Sequence, residues 1–206
     1  MGTEANNWKL FFRSAEKRNE LLLTVVILAV VLFSLTRFLN YVENRAGIVL
    51  YDPIHNLIPP VNLTWLIFGI IYISLIIALY FLVKTPGGLL FAMQCYTLMV
   101  IFRITAMYIT PLNPPADMIP LADPFVEVFG TGRLMTKDLF FSGHTATLFI
   151  LYLTADRKIL KILFFCSTII VAAAVIFQHV HYAVDVLVAP FFTYCSYVMV
   201  KKIMKH

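Results

Sequence analysis

Residues 61–83 form one apolar run without a single Asp, Glu, Lys or Arg. A run of that length has few fates, because about 20 residues of helix cross the hydrocarbon layer of a bilayer. Five further apolar blocks accompany it, so that residues 20–39, 61–83, 88–109, 139–155, 159–180 and 182–203 alternate with short polar joints. In lipid the backbone of each block finds no water and satisfies its polar groups within a helix. The expected fold is therefore all-α and integral to the membrane, a bundle of six transmembrane helices forming one domain over residues 1–206. Composition agrees: 61% of the 206 residues are hydrophobic and 13% are charged, against about 25% charged in a soluble domain. Cys95, Cys166 and Cys195 all lie inside the apolar blocks without metal-ligand spacing, and read as small core residues.

Charge sets the orientation. Lys9, Arg13, Lys17 and Arg18 combine with Trp8, Phe11, Phe12 and Ala15 at helical spacing, which predicts an interfacial amphipathic helix over residues 1–20. Lys84, then Arg157, Lys158 and Lys161, then Lys201, Lys202 and Lys205 fall on the same side as that helix if the spans number six. The bias of Lys and Arg in short loops assigns this side, with both termini, to the cytoplasm. The net charge of +5 is thus spread as membrane anchoring charge, not gathered into a nucleic-acid patch. The other side receives residues 40–60 and 110–138. The second of these segments holds Pro111, Pro114, Pro115, Pro120 and Pro124, with Asp117, Asp123 and Glu127 set against Arg133 and Lys137. Its residues 110–137 are the expected wall or lid of a site.

Ionisable side chains within or beside spans are costly and mark function, which singles out Arg103, His144, His181 and Asp185. His144 opens the fourth block and His181 immediately precedes the sixth, and alternate spans start on the same face. Both histidines therefore open to the non-cytoplasmic side, and Arg103, near the end of the third span, reaches a similar depth. His181 and Asp185 are four residues apart, one helical turn. The carboxylate can then hold the imidazole in one tautomer while the other ring nitrogen attacks, with His181 as nucleophile and Asp185 as orienter. A structural capping histidine with a buried Asp partner is the plainer alternative. Ser142, Gly143 and His144 precede a helix whose free N–H groups and dipole favour an anion such as phosphate. There Gly143 permits close approach, Ser142 offers a hydroxyl and His144 can protonate a leaving oxygen.

Phe-Ser-Gly-His-Thr at residues 141–145, followed by His-Tyr-Ala-Val-Asp at 181–185, resembles the last two signature motifs of the type 2 phosphatidic acid phosphatase (PAP2) superfamily. Within it, Arg-Ile-Thr-Ala-Met-Tyr-Ile-Thr-Pro-Leu at 103–112, Asp-Leu-Phe-Phe-Ser-Gly-His-Thr at 138–145 and His-Val-His-Tyr-Ala-Val-Asp at 179–185 are similar to the sphingomyelin synthase branch. The resemblance implies six membrane helices and a two-step transfer through phosphohistidine at His181, with Asp185 supporting it and His144 serving the leaving group or acceptor. A phospho-head-group would pass from a phospholipid to a lipid hydroxyl such as that of ceramide, with diacylglycerol released and no metal or organic cofactor needed. Substrate phosphate would meet Ser142 and Gly143, and Arg103 or Tyr108.

The departures are informative. The wider superfamily carries a Lys and Arg-Pro motif and, before the last His, a Ser-Arg pair, but the corresponding positions here are Ala174 and Val175. Missing cations penalise a phosphomonoester more than a singly charged diester. A lipid phosphate phosphatase of the same superfamily is the alternative enzyme. A non-catalytic transporter with Arg103 and Asp185 along its pathway is the alternative of another class, although its charges would sit near the midplane. His179 does not complete a metal site, because residues two apart on a helix point in opposed directions. The expected partners are phospholipid and lipid-alcohol substrates and the bilayer.

Overall fold

The computed structural model describes residues 7–122 and 135–204. Asp123, Pro124, Glu127 and Arg133 of the expected wall, the first six residues of the expected interfacial helix, and Lys205 lie outside the described residues. Within them run helices α1 (Trp8–Arg13), α2 (Ala15–Asn44), α3 (Thr64–Leu82), α4 (Pro86–Ile109), α5 (Gly143–Thr154), α6 (Lys158–Phe177) and α7 (Ala183–Ile203).

The amphipathic N-terminal pattern is divided where one helix over residues 1–20 was expected. Ser14 takes extended dihedrals and its Oγ accepts the Lys17 N–H at 3.4 Å. A serine that can serve a free N–H in this way starts a new helix. The preceding six-residue α1 docks on the protein: Phe11 is buried, and Trp8 Nε1–H donates to the Val83 carbonyl at 2.6 Å. Its charged companions Lys9 and Arg13 remain outside.

Helices α2, α3, α4, α6 and α7 are long and apolar enough to cross a membrane. The fourth expected span differs. Helix α5 has 12 residues, about 18 Å at 1.5 Å per residue, against a hydrocarbon layer of about 30 Å. Non-helical backbone is tolerated at membrane depth only when protein surrounds it. The lead-in to α5 meets that condition, since Leu139, Phe141 and Ser142 are all buried. Short as it is, α5 is central. Leu148 and Leu151 pack with Ile67 and Ile71 of α3 and Phe164, Val171 and Val175 of α6. Ala146 and Ile150, in another cluster, pack with Cys95 and Met99 of α4 and Ala189 of α7. Of the three cysteines expected in the core only Cys95 is buried, while Cys166 is exposed and Cys195 half-buried.

The turn from α6 to α7 positions the second histidine. After the C-cap Gln178, His179 adopts a left-handed conformation with φ 57°. Its N–H donates to the Ile176 carbonyl at 2.9 Å, and that of Val180 to the Val175 carbonyl at 3.0 Å. This bond pair closes a helix as a Schellman motif, whose left-handed position usually holds glycine. His179 therefore lies in a turn, not on the helix assumed when its spacing from His181 was read.

Gln178 ties three segments together. Its Oε1 accepts the Leu63 N–H at 2.9 Å at the start of α3, which has no side-chain cap of its own. Its Nε2 donates to Thr64 Oγ1 at 2.9 Å and to the Ile119 carbonyl at 3.2 Å. Gln178 is fully buried, so Gln178→Leu strands several polar groups, each worth about 1–3 kcal/mol when left unsatisfied. Thermal unfolding in micelles should show a loss of about 2–4 kcal/mol on that basis. A variant as stable as the parent would refute the role.

Candidate active site

A short extended segment carries the first half of the site. Glu43, near the end of α2, accepts the Thr136 N–H (2.9 Å), the Thr136 hydroxyl (2.6 Å) and the Lys137 N–H (3.0 Å). Lys137 Nζ in turn donates to the Arg45 carbonyl at 2.8 Å. So anchored, the segment delivers Asp138 to the Arg103 guanidinium, with which it forms a close ion pair. Arg103 Nε–H also donates to the buried Phe141 carbonyl at 3.2 Å. Burial alone would push the Asp138 carboxyl up, but the charge and hydrogen bond of Arg103 outweigh it and hold the group below its usual range.

Helix α5 begins beneath this pair. Ser142 is its N-cap: the hydroxyl oxygen accepts the Thr145 N–H at 3.4 Å and the Thr145 hydroxyl at 3.1 Å. Ser142 is completely buried. Expected as a phosphate ligand, Ser142 serves in this structure as a helix cap. Gly143, expected to let a phosphate come close, is closely approached by Arg103. A Cβ on residue 143 would stand 2.7 Å from the guanidinium carbon and 2.8 Å from one of its nitrogens. Gly143→Ala should therefore displace Arg103 and lower turnover about a hundredfold, as misplacing a reacting group by about 1 Å does. Unchanged turnover would show that the guanidinium position does not matter.

The second half comes from the α6–α7 turn. His181 and Asp185 are buried, with Nδ1 of the ring 3.3 Å from Asp185 Oδ2. The expected pairing is present but its cause is different. His181 precedes α7, whose N-cap is Tyr182, and Asp185 is the third helical residue, its Oδ2 also accepting the Tyr182 N–H at 3.2 Å. The pair thus belongs to a capping arrangement in which the carboxylate serves backbone and imidazole together. Asp52 adds a cap from afar, its Oδ2 accepting the Ala183 N–H at 2.6 Å. The Ser142 N–H donates to the Asp185 carbonyl at 3.2 Å and joins the two halves.

His144 and His181 meet edge to face with ring centroids 6.0 Å apart. His144, Gly143, Arg103 and Asp138 form the polar end of a cavity of about 430 Å³. Its remaining walls are largely apolar side chains of α3, α4 and α5, extending along α4 to Leu89. From Arg103 to Leu89 the groove runs about 21 Å at helical rise. A polar end that carries a guanidinium, joined to a long apolar slot, suits an amphiphile with a phosphate head.

Tyr108 does not join this constellation. It is 63% exposed on α4 and absent from the cavity wall. Among the described residues its backbone carbonyl accepts from Arg45 at 2.9 Å. His179 is likewise structural, stacked on His55 with centroids 4.1 Å apart and its Nε2 3.0 Å from the Ile58 carbonyl. Burial, then the neighbouring His179, lowers the His55 pKa and favours the neutral stacked ring. No group of His, Cys, Asp and Glu among the described residues is arranged to hold a metal ion.

Residues 136–203 match the family model described as PAP2 superfamily C-terminal. The match covers His144, His181 and Asp185 and supports the PAP2 superfamily, whose members are phosphatases and phosphotransferases acting on phosphate esters. No curated protein and no solved structure shows a significant match. Arg103 and Glu43, on α4 and α2, lie outside the PAP2-like region, and Glu43 enters the site only through the fold. Nothing in the local sequence around Glu43, Asp52 or Gln178 signals their roles, because their partners lie far along the chain.

Proposed function

We propose that the protein is a sphingomyelin synthase-like phosphotransferase that moves a phospho-head-group from a phospholipid to a lipid hydroxyl. The observation that carries this reading is His144, which lines the polar end of an apolar slot and meets the buried His181 edge to face. Asp185 faces Nδ1 of His181, which leaves Nε2 to attack phosphorus. As the N–P bond forms, the P–O bond to the lipid alcohol breaks, and His144 gives its proton to the departing oxygen. The acceptor hydroxyl then attacks phosphorus and passes its proton to His144, and the N–P bond breaks to restore His181. The sphingoid nature of the acceptor rests on the motif resemblance alone.

Charge favours a diester donor. Ala174 and Val175, where the wider superfamily has a Ser-Arg pair, are buried among apolar side chains. Arg103 is the one Lys or Arg among the described cavity-lining residues, and Asp138 offsets it. A dianionic monoester would face too little positive charge, whereas a singly charged diester fits.

The test is incubation in mixed micelles with head-group-labelled phosphatidylcholine, with and without ceramide or diacylglycerol. Acceptor-dependent transfer of label to lipid is the expected result. Water-soluble product formed at the same rate without acceptor would replace this reading by a PAP2-type hydrolase. Absence of any product from a range of phospholipids, with label moved across the bilayer by the protein reconstituted in vesicles, would favour a transporter.

A further inference from the structure

A smaller cavity, about 100 Å³ in volume, lies at the other end of the bundle, where α3 ends and α5 passes into α6. Its floor is apolar, built from Ala78, Leu82, Leu160 and Phe164, and its mouth holds Lys84, Asp156 and Arg157. Lys84 Nζ sits 3.6 Å from the ring centre of Tyr80, and the Arg157 guanidinium 4.6 Å from that of Phe81. Adjacent rings thus hold two cations at one mouth. Among the described residues no carboxylate, Asp156 included, lies within 4.0 Å of either cation. The 20-residue α6 also begins here, with Arg157 as N-cap and no side-chain cap for its first N–H groups. Like charges brought together repel unless an anion joins them, and the PAP2-type reaction uses none of these groups.

We propose that this cavity is a second lipid site, which takes the phosphate of an anionic phospholipid between Lys84 and Arg157 and the start of an acyl chain on its floor. The occupant is a lipid and not a soluble phosphate because the floor is apolar and the mouth lies at the ends of spanning helices, level with head groups. Lysines and arginines collect at this end, with Lys158, Lys161, Lys201 and Lys202 on α6 and α7. That bias marks the cytoplasmic side, whose leaflet carries the anionic lipids. The site does not depend on the proposed reaction, since it shares no polar residue with the histidine end.

The test uses the full chain in nanodiscs of phosphatidylcholine with or without phosphatidylglycerol, followed by thermal unfolding. Phosphatidylglycerol should raise the midpoint of the parent and of His181→Ala alike. The Lys84→Gln/Arg157→Gln double variant should lose the difference, and so should Ala155→Phe, which fills the mouth and keeps both charges. A full phosphatidylglycerol shift in either variant overturns the site, as does an equal shift from glycerol phosphate in pure phosphatidylcholine. Trp8 supplies a reading that needs no change at the mouth, because it bonds to Val83 beside Lys84. In a Trp65→Phe background, brominated phosphatidylglycerol should quench Trp8 at mole fractions about thirtyfold below brominated phosphatidylcholine, the preference two basic residues supply. Equal quenching by the two lipids would also overturn the proposal.

Discussion

His181→Ala is expected to reduce product formation at least about a thousandfold, the scale of losing a covalent nucleophile, while the fold survives. The stability loss should stay near 1–3 kcal/mol, the range for removing one hydrogen-bond partner of a buried group, because Asp185 Oδ2 keeps the Tyr182 N–H. Asp185→Asn separates orientation from attack. Its amide can still face the ring but favours the wrong tautomer, so a large rate loss with little change in unfolding is expected. His144→Ala should slow departure of the lipid alcohol and, where the second step suffers more, leave the phospho group on His181. Mass spectrometry of the quenched protein would then find phosphohistidine at residue 181. Turnover in His181→Ala at the parent rate would rule out this residue as the nucleophile, whatever the fate of the other two variants.

The histidine pair was legible because it obeys a local rule and a topological one. Alternate spans open on one face, and residues 144 and 181 each lie within two residues of a helix start. The link between His181 and Asp185 was legible too, but the helical-turn argument gave a right answer for an incomplete reason, since the carboxylate first belongs to the cap of α7. His179 was misplaced on a helix because a left-handed residue that is neither glycine nor asparagine leaves little local trace. The uncharged block at 139–155 reads as one helix of spanning length, since hydropathy cannot distinguish a helix from a non-helical lead-in buried by its neighbours. Residues that hold the site in place were not legible at all. Glu43 reaches residues 136 and 137, Asp52 reaches Ala183, and Gln178 reaches Leu63 and Thr64. Each is a polar side chain of ordinary type whose partner is set by the fold and not by spacing. Tyr108, carried into the candidate site by motif likeness, is turned outward by α4.

Arg103→Leu should be the most damaging substitution outside the PAP2-like region. It removes the only partner found for Asp138 among the ion pairs of the described residues and strips the Phe141 carbonyl of its donor. Breaking a buried pair from one side costs about 3–5 kcal/mol, and the low end applies because the Asp138 side chain keeps 26% of its exposure. Its pH dependence carries the sign. In the parent Asp138 titrates below its ordinary 3.8, so the ion pair contributes stability above that value and loses it as pH falls through the depressed one. Without Arg103, burial pushes the carboxyl up against the individually smaller lowering by His181 and His144, and the variant should gain stability relative to the parent as the medium is acidified through the carboxylate range. Arg103→Leu/Asp138→Asn should recover much of the lost stability at neutral pH, because no charge is then left unpaired. It should recover little activity, since the cation that lines the cavity beside His144 is still missing. Recovery of both would mean that Arg103 acts only through Asp138. Recovery of stability alone assigns the guanidinium a direct part in holding the phosphate.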